Sequence, residues 1–352
     1  MGLVKGYFKP VGRGRPTGCL GTQSSLFREA ELSMETTWGG RLRCLIFLPD
    51  QSEVTFEKRG FTAPDDGTRQ ANLEMVGSKF LEGFGCAMGG QSLVGIESSL
   101  EAIEPTYRGF AYEGCAMALA VRDGIRPLGR HWVRDLLASR GAAHIYMVYI
   151  GVGWAMARLP RVRWPAIAPR DPLLRWLALD GYGFHQAYFR TAQYVGGQHQ
   201  GRIPGWSPAG YAMRAVDQGI GRALWFVNGS DVERVAAGIT AFPAGRRGDL
   251  WSGAALASVY AGGADAGELA DMARLAGQYR PHAAQGAAFA AKARLLAGLV
   301  TPGTELGVKV YCDSSVEEAA AITDEARSGL PTEDGELPRF EVWRERIRKR
   351  FE

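Results

Sequence analysis

Seven segments of this chain carry one short pattern, and that repetition limits the fold more than any other feature. They are EGFGCAM, EGCAMAL, IGVGWAM, DGYGFHQ, QGIGRAL, SGAALAS and QGAAFAA, anchored on Gly83, Gly114, Gly151, Gly181, Gly219, Gly253 and Gly286. Successive anchors lie 31, 37, 30, 38, 34 and 33 residues apart, a mean near 34. Two residues after every anchor stands Gly or Ala. On a helix, positions two apart face away from one another and positions four apart share a face. Each segment therefore reads as a helix thin on two opposite sides. An interior glycine costs about 1 kcal/mol relative to alanine, so seven such helices imply a compensating close approach to neighbours on both flanks.

Between the anchors lie candidate partner helices. Ser230 to Glu233 reads as a capping box before VAAGITAF, with Pro243 beyond it, and Glu268–Gln278 and Ser315–Arg327 read similarly. Two helices per unit of roughly 34 residues is the arithmetic of an α-solenoid, although the tetratricopeptide residue pattern is absent. The expectation is an all-α, α-solenoid-like array of about seven helix-pair repeats with an irregular N-terminal cap. Its expected boundaries are 1–75 for a mixed or irregular cap, 76–335 for the repeats and 336–352 for a basic amphipathic helix.

Within that plan, four prolines between 159 and 172 predict that the third repeat lacks a full second helix, and 196–210 reads as a second loop. The apolar stretch LRCLIFLP, 42–49, reads as a short strand or a buried segment. In the final helix Phe340, Trp343, Ile347 and Phe351 recur at three and four. That helix either caps the array or docks a partner or an acidic lipid surface.

With 352 residues, 46% hydrophobic and 22% charged, the chain is expected to fold. A net charge of +4 gives little reason to expect nucleic-acid binding. The amino terminus lacks the apolar core of a signal peptide. The longest nearly uncharged run, residues 145–157, falls short of the roughly 20 residues of a membrane span and reads as a buried helix. Five widely spaced cysteines without a CxxC pair fit reduced thiols, and a cytoplasmic location is expected.

The repeat also points to a site. Four residues after the anchors stand Ala87, Ala118, Ala155, His185, Ala223, Ala257 and Ala290, so one histidine takes a slot otherwise given to a methyl group. His185 either fills a gap left by the proline-rich unit or acts as a general acid/base, with Tyr182, three residues earlier, and Arg222 as its helpers. Just before the anchors stand Glu82, Glu113, Asp180, Gln218, Ser252 and Gln285, with Ile150 the exception. Aligned along one face, they would bind a polar group or a cation, or form a ladder of interhelical hydrogen bonds. Three after the anchors come Cys86, Met117, Trp154, Phe184, Arg222, Leu256 and Phe289. Ordinary core packing explains these; so does a groove for an elongated apolar ligand with a charged end.

The candidate catalytic residues are thus His185, Tyr182 and Arg222, and the candidate binding residues Glu82, Glu113, Trp154, Asp180, Phe184, Gln218 and Gln285. No HExxH, GxSxG or Walker loop occurs, the histidines have no metal-ligand spacing, and no motif demands a cofactor.

At RGFAYEGCAMAL, GVGWAMARLP, DPLLRWLALDGYGFHQAYF, DQGIGRALWFVNG and RRGDLWSGAALASVYAGG the chain resembles the UnbL-like family of uncharacterised bacterial proteins encoded beside enediyne polyketide synthases. The resemblance runs from about residue 75 to the carboxy terminus. It implies an accessory role in enediyne biosynthesis, with or after the iterative synthase, on a hydrophobic polyene-derived intermediate. The synthase and its accessory proteins, including a membrane protein, are the implied partners. Such a chain would be an enzyme, a non-catalytic α-solenoid adaptor, or a carrier of the apolar intermediate. The resemblance supplies no catalytic residues.

Overall fold

Residues 38–63, 67–125 and 131–352 are described by a computed structural model, and among them helices account for all the regular structure. The part of the expected cap before Trp38 lies outside the described residues. Helix α1 (Trp38–Phe47) and the single turn α2 (Phe56–Arg59) come first. LRCLIFLP is therefore helical along most of its length, not a strand, and it is not buried either: Leu45 is 83% exposed and Leu42 57%. A short apolar run has no periodicity long enough to separate the two states.

The repeats then follow in order. The first pairs α3 (Gly67–Met88) with α4 (Leu93–Glu101), and the second pairs α5 (Pro105–Ile125) with α6 (Trp132–Leu137). The third has α7 (Ile145–Arg158) but only the single turn α8 (Trp164–Ile167) within its proline-rich stretch. The fourth, α9 (Leu177–Phe189), is followed by a π-helical turn and then a loop in which Ile203 and Trp206 are buried. Full pairs return with α10 (Ala209–Val227) and α11 (Val232–Thr240), and with α12 (Ala244–Ala261) and α13 (Ala266–Leu275). The last repeat is α14 (Arg280–Leu296) with α15 (Pro302–Cys312), and α16 (Val316–Arg327) and α17 (Arg339–Arg348) end the chain. Helix α3 starts before residue 76, so the first repeat reaches into the expected cap.

Local chemistry sets these boundaries. Ser315 and Glu318 form a reciprocal capping box at α16, as do Asp265 and Glu268 at α13. The box expected at Ser230 does not form. Ser230 adopts φ 58° and gives its hydroxyl to the Gly229 carbonyl, while Asp231 caps α11 through the Arg234 amide.

Anchor helices pack directly on their sequence neighbours, α3 on α5 and so on to α14. A Cβ on Gly219 would lie 1.9 Å from the Asp180 carbonyl oxygen, and one on Gly183 2.1 Å from that of Val216. Only glycine permits this approach, and the dispersion contacts it allows offset its helix penalty. Most of the polar row becomes a ladder between these helices: Gln218 Nε2 donates to Asp180 Oδ2 at 2.8 Å, and Ser252 Oγ to Gln285 Oε1 at 3.0 Å.

The array does not stay open. Asn72 of α3 donates to the Ala261 carbonyl of α12 at 3.0 Å, and Arg294 of α14 to the Thr106 carbonyl of α5 at 3.0 Å. The first anchors thereby meet the last ones, and the expected groove closes into a cavity.

Helix α17 buries Phe340, Trp343 and Ile347, with Trp343 4.7 Å from Phe289 of α14. Arg344, fully buried, reaches Asp249 at 2.8 Å, Gln285 at 3.0 Å and Glu341 at 3.1 Å. This helix is a cap. Its apolar face is committed to the core, which removes it as a docking face for a partner or lipid.

Candidate functional site

The closed array encloses a cavity of about 470 Å³. Its lining follows from the repeat. Trp154 and Arg158 of α7, Phe184 and Tyr188 of α9, and Arg222 and Phe226 of α10 stand three and seven residues after their anchors. Position −1 joins them on one helical stripe, because residues four apart share a face. From α5 that stripe supplies Glu113 and Met117, and α3 adds Phe80 and Phe84. The mouth is framed by Ile46, Leu48, Asp50 and Lys58, all exposed, and the inner end by buried Phe110, Glu113 and Arg222.

At the inner end, Arg222 Nη1 donates to Asp180 Oδ1 at 2.7 Å. Burial works against the guanidinium charge, and Asp180 and Glu113 more than offset it. The Asp180 carboxylate is filled by Arg222 and Gln218 and does not line the cavity. Glu113 differs. Burial pushes its carboxyl up to about 7, with the Asp180 charge adding to the rise and Arg222 opposing it. An apolar cavity thus contains a carboxylic acid that titrates near neutral pH, next to a guanidinium already neutralised by another residue.

His185 lines the same cavity, 4% exposed, its ring 5.4 Å from Trp154 and 4.7 Å from Phe189. Burial, and then the positive charges of Arg158 and Arg190, hold it well below the ordinary histidine range, so it is neutral at pH 7. Its Nδ1 is buried without a hydrogen-bond partner. A neutral imidazole with an open nitrogen can accept a proton or a hydrogen bond.

The structure divides the sequence candidates. Glu113, Trp154, Phe184, His185 and Arg222 line one cavity; Asp180 and Gln218 stand behind Arg222. Tyr182 does not join His185. It faces Trp164 and Tyr194 on the other side of α9, and its hydroxyl accepts from Gln186 Nε2 at 2.8 Å. An offset of three leaves about 60° between side chains, and here a helix ridge falls in that gap. Glu82 pairs with Lys79 at 2.7 Å outside the cavity, and Gln285 is taken by Ser252 and Arg344 under the C-terminal cap. The row continues along the array, but the cavity spans only its first five anchor helices. Among the described residues, no three His, Cys, Asp or Glu side chains gather as a metal-ligand set.

Sequence reasoning missed Arg158, Tyr188 and Phe226, which extending the three-after comparison by one helical turn would have found. It also missed the rim residues Asp50, Glu53, Lys58 and Arg59, which belong to no repeat. No helix is long and apolar enough to cross a membrane among the described residues. Comparison with curated proteins and with solved structures finds no match. Residues 38–351 match the family model described as "Protein of unknown function (DUF1702)", and the chain belongs to that family.

Proposed function

We propose that this protein takes a long, unsaturated, mainly apolar molecule into its cavity, as an accessory protein of enediyne biosynthesis acting with or after the iterative polyketide synthase. The observation that carries the binding reading is the cavity itself: about 470 Å³, walled by Phe80, Trp154, Phe184, Tyr188 and Phe226. That volume falls among small-molecule sites, and aromatic faces suit an extended conjugated chain. Each buried methylene-sized group contributes about 0.8 kcal/mol. The enediyne context rests on the resemblance of the quoted repeat segments.

As an enzyme, the chain would use Glu113 as the acid and His185 as the base, one delivering a proton to the bound chain and the other removing one. Both groups are uncharged in the empty cavity, so neither needs a counter-ion before the ligand arrives. A carrier reading has its own support: no carboxylate orients His185, whose Nδ1 is unpartnered. Titration with a conjugated tetraene of fatty-acid chain length, read by its own fluorescence and by quenching of Trp154, tests the binding step. Saturable one-to-one binding is expected, and its loss in Phe226→Arg would locate the site; no saturable binding sinks the reading. Deletion of the gene in a producing strain, with mass spectrometry of what accumulates, tests the pathway. An unchanged metabolite profile would remove the enediyne assignment.

A further inference from the structure

The two ends of the cavity differ in charge, and that difference orients a ligand. At the inner end the only full charges close to the wall are Arg222 and Asp180, which cancel in a 2.7 Å pair, while Glu113 holds its proton up to about pH 7. An anion placed there would lose its hydration without meeting a free positive charge.

The rim is different. Arg158 closes the stripe of α7, and Arg190 lies close enough to act on both Arg158 and His185. Lys58 and Arg59 come from α2, the Arg59 guanidinium lying 5.0 Å over the Phe189 ring. Against these four cations stand three carboxylates, and each is engaged. Glu53 accepts from Arg59 at 2.6 Å with Lys58 at 4.0 Å, Asp50 accepts the Ser52 amide at 2.9 Å, and Glu74 accepts the Phe56 amide at 2.9 Å. The rim keeps a cationic excess. His185 stands on this side of the cavity, between Arg158 and the aromatic wall, with a nitrogen open to a hydrogen bond.

Resting on the reading that the cavity takes a long apolar chain, we infer that the chain enters tail first and ends in a carboxylate held at the rim by Arg158, with His185, Arg59 and Lys58 around it. The ligand class is then a long-chain unsaturated carboxylic acid, not a neutral hydrocarbon. A carboxylate can approach a guanidinium in bidentate fashion there without leaving water altogether, which favours the pair over a fully buried one.

The experiment compares a conjugated tetraene fatty acid with the primary alcohol of the same chain, on the full-length protein at low salt. The acid is expected to bind at least about ten-fold more tightly. Arg158→Gln should remove that preference while leaving alcohol affinity within about two-fold, and Arg158→Lys should restore part of it. Equal affinity for acid and alcohol, insensitive to Arg158→Gln, overturns the inference but leaves the apolar cavity reading standing. Failure of both probes to bind overturns both. A saturated fatty acid of the same length serves as competitor. Weak competition supports the unsaturated class, whereas equal competition keeps the carboxylate end and overturns the unsaturated part.

Discussion

Replacing Glu113 by glutamine should change the pH dependence of stability in a way that no ordinary surface carboxylate would. In the unfolded chain this carboxyl titrates at its ordinary 4.5; in the folded protein burial raises it to about 7. Between those values the folded state holds a proton that the unfolded state has released, so unfolding free energy falls as pH rises. The full difference corresponds to about 3 kcal/mol, present below pH 4.5 and lost by about pH 8. Glutamine keeps the shape and never ionises. Urea unfolding of both proteins at pH 5 and pH 8 isolates the effect, because the other titrating groups cancel in the comparison. The variant should gain about 2.5 kcal/mol on the wild type between the two pH values. A stability difference that does not change with pH would mean that Arg222 keeps Glu113 ionised throughout. The neutral acid assigned to the inner end would then be wrong.

Gly219→Ala should cost about 3 kcal/mol or more in thermal or urea unfolding, because its Cβ would stand 1.9 Å from the Asp180 carbonyl. Gly245→Ala, in the same kind of helix with nothing within 4 Å, should instead stabilise by up to about 1 kcal/mol. Arg344→Met, which leaves the buried Asp249 and Glu341 carboxylates short of a partner, should destabilise by about 3 kcal/mol. Exposed Lys349→Ala should fall within about 0.5 kcal/mol and serves as its control. His185→Ala should lower product output in a producing strain at unchanged protein level; unchanged output would leave the carrier reading. The His185 ring should stay neutral in NMR titration down to well below pH 6.5, and a midpoint near 6.5 would contradict its burial.

Much of the fold could be read from residue spacing because helix packing is a local constraint. Gly219 and its equivalents sit where two backbones touch, and only a residue without Cβ can stand there, so the requirement repeats visibly along the chain. The stripe that lines the cavity was half legible. Trp154, Phe184 and Arg222 share an offset from their anchors, but the same offset gives Phe289, which packs under the C-terminal helix instead. Nothing local distinguishes those two fates. Tyr182 shows the limit of spacing arguments at short range: three residues from His185, it looks onto a different neighbour.

By itself, the sequence determined that these helices must lie close and in order, because glycine in a helix is tolerated only where something replaces its missing side chain. Tertiary structure alone decided how sharply the array curls. Asn72 meeting Ala261 and Arg294 meeting Thr106 bring together residues almost two hundred positions apart. That closure turns a stripe into a wall, buries Glu113 deeply enough to retain its proton, and leaves the cationic rim as the cavity's outer end. Curvature accumulates from small rotations at each interface, and no single repeat records the sum.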